Sequence, residues 1–348
     1  MSREEQKRQV TIKAAVIGVG SMGWNHARIY NELEGVDLVA VADLEGEAAE
    51  RAANVYGARG YTDYREMLRH EELDVVSIAV PTQSHRDTAL AALQRGCHIL
   101  VEKPIASTIE AGQEMVTLAA SQGLKLTVGH IERFNPAIIE LKRRLKRGEA
   151  GQVFHIHARR LGPFPARVRD VGVVIDLATH DLDVMRYLLD SEVARIYAET
   201  EQEILTGHED LLSGLLRFEN GVIGLLSINW LTPTKIRELA VTGEGGMFLV
   251  NYLTQDLYFY ENDHAESQWG SLGLLRGVSE GNMVRLKIGK QEPLRVEIEA
   301  FVRAVLEDEE PAVRGEDGLT ALALAQRLVE SGQENRVIAL VGGEKTAE

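Results

Sequence analysis

The fold of this chain is decided by residues 13–23, which read KAAVIGVGSMG. The apolar first part of this stretch predicts a short β-strand, and the pattern from residue 24 to residue 33 predicts a helix. Between them lie Gly18, Gly20 and Gly23, at a spacing that allows a tight turn, the close approach of a pyrophosphate to the backbone, and close packing of the helix on the strand. The stretch therefore predicts a dinucleotide-binding unit in which the helix N-terminus faces the anion.

A carboxylate at the end of the next predicted strand, residues 36–42, supports this interpretation. Asp43 lies twenty residues beyond Gly23, where a carboxylate can accept hydrogen bonds from both ribose hydroxyls of an adenosine. The same charge would repel a 2′-phosphate, and Leu44 carries no charge that could compensate. The sequence therefore favours NAD over NADP, although Arg51 keeps the NADP alternative open.

Strands and helices continue to alternate as far as residue 128, with strands at 36–42, 74–80, 98–101 and 125–128 and helices at 45–56, 64–69, 85–95 and 107–122. This order predicts a parallel, doubly wound sheet, because parallel neighbours need crossover helices. Ligands of such sheets bind beyond the carboxyl ends of the strands, where this chain carries polar residues. The predicted cofactor-binding residues are Gly18, Gly20, Ser21, Met22, Gly23, Asp43, Pro81, Thr82, His85, Glu102 and Lys103.

The composition limits the class of protein. A chain of 348 residues is long enough for roughly two domains. Its net charge of −15 argues against nucleic acid or an anionic membrane as a general partner. Cys97 is the single cysteine, so no disulfide can form within the chain, and residues 1–9 form a charged tail rather than a signal peptide. We expect a cytoplasmic protein with neither a membrane span nor a metal site.

A second informative stretch, residues 173–189, predicts one helix with two faces. Asp176, His180, Asp183 and Tyr187 share one face, and apolar residues occupy the opposite one. A histidine that has a carboxylate one turn away on either side is suited to general acid or base catalysis. The alternative is a solvated charged face that includes a histidine by chance.

The residues before this helix, 159–170, read RRLGPFPARVRD. Arg159, Arg160, Arg167 and Arg169 thus follow one another in a segment stiffened by two prolines, within an otherwise acidic protein. Clustered arginines predict a site for a phosphorylated or carboxylated ligand. The alternative is that they pair with carboxylates on the protein surface.

Taken in order, these motifs resemble the glucose-fructose oxidoreductase / inositol dehydrogenase / rhizopine catabolism (Gfo/Idh/MocA) family over nearly the whole chain. The matching residues are the three glycines, the triplet Glu102-Lys103-Pro104 at a strand end, and Asp176-x-x-x-His180-x-x-Asp183. Ala178 departs from the pattern, since many members have glycine there, and this change should affect packing more than chemistry. The resemblance implies a Rossmann domain at 10–130 and an α+β domain for substrate binding and oligomerisation at 131–348. Whether the final helices pack back on the Rossmann domain stays open.

The resemblance also implies the chemistry. Oxidation of a secondary alcohol needs a base for the hydroxyl proton, and NAD accepts the hydride. His180 suits the base because its ordinary pKa is close to neutral pH, whereas Lys103 suits a fixed cation that assists the developing alkoxide. Asp176 would orient the sugar, and Asp183 or Asp176 would orient the imidazole. The implied substrate-binding residues are Arg133, Phe134, Asn135, Arg159, Arg160, Arg167, Arg169, Asp176 and His180.

Within the family, the arginines look most like the branch that acts on nucleotide sugars, as do residues 130–136 (HIERFNP) and 229–235 (NWLTPTK). The implied reaction is oxidation of the 3-hydroxyl of UDP-N-acetylglucosamine to the 3-keto sugar, which a following aminotransferase would use. One alternative is a dehydrogenase of a free polyol or sugar of the inositol or glucose type. Another is an NAD-sensing regulator without catalytic activity, but such proteins tend to lose the lysine or the histidine, which this chain retains.

The second half of the chain predicts a large, open, mostly antiparallel sheet. Its predicted strands alternate and are less continuous than those of the first half: 152–159, 193–203, 210–218, 221–230, 236–243, 246–251 and 257–261. The resemblance implies that this sheet forms a homodimer or homotetramer. Residues 266–292 predict a flexible loop, and the final helices are predicted at 295–306 and 320–331.

Overall fold

The first sheet is parallel, as the alternation of strands and helices predicts. The computed structural model describes residues 11–165, 171–203, 207–264 and 278–340. Six strands pair in the order β3-β2-β1-β4-β5-β6, which confirms the doubly wound topology. The order reverses between β1 and β4, so a crevice for ligands lies at the carboxyl end of β1. The strands are β1 (Ile12–Ile17), β2 (Val36–Ala42), β3 (Arg59–Tyr61), β4 (Val75–Ile78), β5 (His98–Val101) and β6 (Leu126–Val128).

Several helices begin and end at residues that satisfy free backbone groups. The Thr108 hydroxyl accepts a hydrogen bond from the Ala111 amide at the start of α5, and α2 ends at Gly57 in the left-handed conformation. In the part of the chain that the structure describes, no helix has the length and apolarity needed to span a bilayer. The helices are α1 (Ser21–Glu32), α2 (Gly46–Tyr56), α3 (Tyr64–His70), α4 (His85–Gln94), α5 (Ile109–Ser121), α6 (Pro136–Lys146), α7 (Thr179–Leu189), α8 (Pro293–Leu306) and α9 (Gly315–Glu334).

The second sheet is large and mostly antiparallel, which confirms the prediction for this half of the chain. Its order is β14-β13-β12-β11-β7-β10-β9-β8-β15, and β7 and β10 form its parallel pair. Apolar residues on one face of this sheet pack with those of α7 to form a core. The strands are β7 (Val153–Pro163), β8 (Val193–Glu201), β9 (Leu211–Phe218), β10 (Ile223–Asn229), β11 (Leu231–Gly243), β12 (Gly246–Asn251), β13 (Asp256–His264), β14 (Val278–Leu286) and β15 (Ile338–Ala339).

The chain divides into two compact units. The first unit runs to Ile131 and also includes Glu292–Leu322, and the second unit comprises Glu132–Gln291 and the chain from Ala323 onward. Helix α8 accordingly packs on the core of the first sheet through Leu294, Ile298 and Phe301. The sequence left open whether the final helices pack on the first domain, and α8 does so.

The structure departs from the sequence prediction in several elements. The segment 266–292, predicted as a flexible loop, contains strand β14, because the edge of β13 offers its residues a pairing partner, with Leu257 opposite Leu286. The rest of that prediction, up to residue 277, lies outside the described residues. The run 173–189 is helical, but Val174–Ala178 is a π-helix that leads into α7. Helix α6 was not predicted, although Asn135 caps it and Pro136 opens it.

Candidate active site

The turn between β1 and α1 contains glycines that serve different purposes. Gly18 has a φ of +84°, and a Cβ atom there would lie 2.6 Å from the carbonyl oxygen of Ala79. A Cβ atom on Gly23 would lie 1.7 Å from the carbonyl oxygen of Gly18. The fold itself therefore requires both glycines. At Gly20, by contrast, φ is −65° and no heavy atom of the described residues lies within 4 Å of the Cβ position, so neither backbone conformation nor packing demands a glycine. The open space at the start of α1 fits a pyrophosphate.

Asp43 holds this turn in place. Its Oδ2 accepts a hydrogen bond of 2.8 Å from the Val19 amide, and its Oδ1 accepts one of 3.0 Å from the Glu45 amide. A carboxylate has capacity for further hydrogen bonds, so these contacts leave it able to accept ribose hydroxyls. Arg51, which kept NADP open, lies over the Trp24 ring at 5.1 Å from its centroid. The residues present at this end of the sheet fit an adenine dinucleotide without a 2′-phosphate.

His85, predicted to bind the cofactor, contacts the protein backbone through both ring nitrogens. Its ring is buried, and its two nitrogens each lie 2.9 Å from a backbone carbonyl oxygen, that of Pro104 for Nδ1 and that of Val80 for Nε2. Burial lowers the pKa of the ring, so the neutral form can donate to one of the two oxygens at a time. His85 thus connects the residues after β4 to those after β5.

A buried polar chain lies behind Glu102, and the sequence reasoning missed it. Nε2 of His26 lies 3.0 Å from Oε1 of Glu102, and its Nδ1 lies 3.0 Å from the Ser77 hydroxyl. The Tyr30 hydroxyl lies 2.9 Å from the same Ser77 oxygen. His26 and Tyr30 occupy the buried face of α1, one turn apart. A histidine among the apolar residues of that helix face was the available signal.

The hydrogen-bonded side chains behind Glu102 determine the charge at the end of β5. Burial raises the pKa of Glu102, but the hydrogen bond from His26 and the nearby charges of His26 and Lys103 outweigh it and hold the pKa below its ordinary value. Gly129 gives the carboxylate room, since a Cβ atom there would lie 3.1 Å from Oε2 of Glu102. The peptide bond from Lys103 to Pro104 is cis. The end of β5 therefore presents an ionised carboxylate next to a lysine.

In the second unit, Asp176 and His180 lie at the start of the α7 region. Asp176 is buried within the π-helical segment, and His180 lies in the first turn of α7 and is partly buried. The π-helical turn replaces the regular turn expected before His180, and such turns are frequent at functional sites. A buried carboxylate and a partly exposed imidazole are thus presented from adjacent turns.

Two arginines predicted to bind substrate pair with aspartates of α7. Arg160 donates from Nε and Nη2 to the two oxygens of Asp181 at 2.7 and 3.0 Å, and from Nη1 to Glu132 at 2.9 Å. Arg133 donates from Nε and Nη2 to Asp183 at 2.7 and 2.5 Å. All five residues except Glu132 are buried. Both oxygens of Asp183 therefore accept from Arg133, and the assignment of Asp183 or Asp176 to orient the imidazole stays a prediction.

The remaining predicted substrate residues are also distributed differently. Arg159 is exposed and pairs with Glu238 at 3.0 Å, because successive residues of β7 point to opposite faces of the sheet. It cannot line the same site as Arg160. Asn135 caps α6 by accepting from the Ala137 amide, and its amide group donates to the Tyr252 carbonyl. Phe134 is buried. Arg167 and Arg169 lie outside the described residues.

No group of three or more histidine, cysteine, aspartate or glutamate side chains is arranged to hold a metal ion in the described ranges.

Comparison with known proteins identifies both units. Residues 12–130 match the model described as the oxidoreductase family with an NAD-binding Rossmann fold, and residues 138–249 match the GFO/IDH/MocA C-terminal domain. The matched first domain carries the glycine turn and Asp43, so the cofactor is NAD.

Individual relatives agree with these models. UDP-N-acetylglucosamine 3-dehydrogenase of Acidithiobacillus ferrooxidans is 28% identical over 91% of this chain and 96% of its own. A crystal structure of that enzyme superposes with a TM-score of 0.82 over 93% of this chain and 98% of the other, at 27% identity. Inositol 2-dehydrogenase 2 of Saccharopolyspora erythraea is 33% identical over 62% of this chain and 65% of its own.

The glycine turn yields a first prediction. Gly20→Ala should weaken NAD binding by at least about tenfold, which corresponds to about 1.4 kcal/mol, because a methyl group would occupy the space left for the pyrophosphate. Its melting temperature should stay close to that of the wild type. Gly23→Ala is the matched control and should lower the melting temperature, because its methyl group would collide with the Gly18 carbonyl. Calorimetric titration with NAD and thermal unfolding measure both effects. Unchanged NAD affinity in Gly20→Ala would contradict the assignment.

His26 yields a prediction on pH dependence. The lowered pKa of Glu102 means that its contribution to stability is present above its ordinary pKa and is lost as the pH falls through the folded-state value. His26→Leu removes the hydrogen bond and leaves burial to raise that pKa. The variant should therefore be less stable than the wild type by about 1–3 kcal/mol at pH 7, with a difference that shrinks towards pH 4. His26→Gln should recover part of the loss. A difference that does not change with pH would refute this account of Glu102.

The pairs that hold α7 yield a prediction on stability. Asp183→Asn should destabilise the protein by about 3–5 kcal/mol, because Arg133 stays buried without this carboxylate. The double variant Arg133→Met, Asp183→Leu should recover much of the loss. Arg159→Gln breaks the exposed pair with Glu238 and should cost at most about 1 kcal/mol. Thermal unfolding compares the variants, and equal losses in Asp183→Asn and Arg159→Gln would show that burial of the Arg133 pair does not matter.

Proposed function

The chain belongs to the Gfo/Idh/MocA oxidoreductase family, and on this basis we propose that it oxidises a secondary hydroxyl of a nucleotide sugar. The proposed reaction is conversion of the 3-hydroxyl of UDP-N-acetylglucosamine to a ketone. The observation that carries the proposal is the match to the Acidithiobacillus ferrooxidans enzyme, which extends through both units of this chain and 96% of the relative. The second unit is where we place substrate binding, so similarity there bears on the substrate.

We assign the proton transfer to His180. The reaction needs a group that takes the hydroxyl proton at neutral pH, and an imidazole meets that need where an unassisted lysine does not. The position of His180 is fixed by its own helix, because Asp181 and Asp183 anchor α7 to Arg160 and Arg133. NAD, when bound, accepts the hydride.

Lys103 and Asp176 have supporting roles in this proposal. Lys103 provides a fixed positive charge that stabilises the alkoxide as it forms. Its neighbour Glu102 is held ionised, so a carboxylate charge lies beside the lysine. Asp176 accepts hydrogen bonds from the sugar and orients the His180 ring. Retention of both Lys103 and His180 favours a catalyst over a regulator that only senses NAD.

A second candidate function is oxidation of a free polyol of the inositol type. The observation that favours it is the commitment of Arg133 and Arg160 to buried aspartates and of Arg159 to Glu238. Arg159 and Arg160 are two of the four arginines on which the expectation of an anionic substrate rested. The match to the inositol dehydrogenase, however, covers 62% of this chain, whereas the match to the nucleotide-sugar enzyme covers 91%.

The outer face of the second sheet supports assembly with a second copy of this chain. Cross-strand register places Leu215 opposite Leu225 and Leu249 opposite Tyr258 on the face away from α7. Leu215 is 45% exposed and Met283 is 54% exposed. Apolar residues aligned in this way are typical of a face that another protein covers. We propose a homodimer or homotetramer, with an aminotransferase consuming the keto sugar.

The assigned base yields a prediction on activity. His180→Ala should lower kcat for UDP-N-acetylglucosamine by about 10²–10⁴-fold, because the hydroxyl proton then has no positioned acceptor. NAD affinity should not change, since His180 belongs to the second unit. The measurement is NADH absorbance with an aminotransferase present to draw off the ketone. His70→Ala, at an exposed position of α3, is the control and should behave as the wild type. Turnover of His180→Ala at the wild-type rate would show that His180 is not the base.

A further inference from the structure

Strand β11 carries an arginine that no motif drew attention to. Arg237 lies opposite Arg160 in the pairing of β11 with β7. Its Nη1 donates to the carbonyl oxygens of Leu161 at 2.5 Å and Ile236 at 2.9 Å. Within the described ranges, Nε and Nη2 have no hydrogen-bond partner and no carboxylate lies within ion-pair distance. Arg237 is partly buried.

The charges around Arg237 set it apart from the other arginines of this region. Arg160 donates to Asp181 and Glu132, and Arg133 donates to Asp183, so carboxylates of the protein balance both arginine charges. Burial and the positive charge of Arg160 lower the pKa of Arg237, and the more distant carboxylates only partly offset this effect. A cation that is partly removed from water and faces another cation gains stability from an anion that comes with a ligand.

The surroundings of Arg237 place it near the proposed reaction centre. Asp176 is close enough for its charge to act on the Arg237 guanidinium. Gly162, on the neighbouring strand β7, is buried, and a Cβ atom there would lie 3.7 Å from both Nη1 and Nη2. Because residue 162 is a glycine, no side chain from that position fills the space next to the guanidinium. The planar donors that remain, Nε and Nη2, match the spacing of two phosphate oxygens.

We propose that Arg237 binds the diphosphate group of the substrate and so selects a nucleotide sugar over a free polyol. This inference rests on the proposed function, and it supplies the anion contact that Arg133, Arg159 and Arg160 do not. A bidentate contact of this kind orients the nucleotide while the sugar reaches His180. Lys235, whose Cγ would lie 3.5 Å from a Cβ atom on Gly162, adds a second positive charge at the exposed side.

The test compares Arg237→Gln with Arg159→Gln. The two variants remove the same charge from neighbouring strands of one sheet, but Arg159 lies on the opposite face. Calorimetric titration with UDP should show binding weakened by about 10- to 100-fold in Arg237→Gln, the range expected for loss of a charge-assisted hydrogen-bonded pair. KM for UDP-N-acetylglucosamine should rise by a similar factor, with kcat and NAD affinity little changed. Arg159→Gln should bind UDP as the wild type does.

A second variant keeps the test informative if Arg237→Gln folds poorly. Arg237→Lys retains the charge and the aliphatic stem but not the planar fork, and it should bind UDP more weakly than the wild type and more tightly than Arg237→Gln. Equal UDP affinity in the wild type and both variants would overturn the role of Arg237 while leaving the proposed function intact. A wild-type protein that binds no UDP and oxidises inositol would overturn the proposed function itself.

Discussion

A charge that this protein buries has to be matched, because removal of an ion from water costs several kcal/mol even after relaxation. This constraint organises the second unit. Asp181 and Asp183 follow His180 within one turn, and each is held by an arginine from another element, so the helix that carries the proposed base is fixed at two adjacent points. The same constraint explains why Arg133 and Arg160 pair with the aspartates of α7. It also identifies Arg237, whose charge is not matched by any carboxylate within the described ranges.

The first unit follows the same principle with different groups. Glu102 stays ionised although it is largely enclosed, because His26 donates to it from α1 and Lys103 adds a positive charge. Burial of His85 between two backbone carbonyl groups fixes the ends of β4 and β5 relative to each other. Polar contacts among buried residues thus position the ends of β4 and β5. The open space at Gly20 is the part that a ligand is left to fill.

The sequence predicts the parts of this molecule that depend on local spacing. Residue spacing predicts the glycine turn, and hydrophobic periodicity predicts the alternating strands and helices and the antiparallel second sheet. The structure contains all of these features. Pairing between distant side chains is not visible in that way. Arg160 looks the same in a sequence whether it meets Asp181, twenty-one residues away, or a phosphate. Arg159 and Arg160 appear as one cluster until strand geometry separates them. Strand β14 escaped prediction for a related reason, since it forms on the edge that β13 provides.

The central claim is that the hydride comes from a sugar carbon of a nucleotide sugar. The most direct measurement uses UDP-N-acetylglucosamine that carries deuterium at C3, incubated with the wild-type enzyme and NAD while an aminotransferase removes the ketone. Mass spectrometry of the reduced cofactor then shows where the hydride originates. Our account predicts NADH that carries the deuterium. Unlabelled NADH would place the oxidation at another carbon, and no reduction with this substrate beside rapid reduction with free inositol would contradict the account.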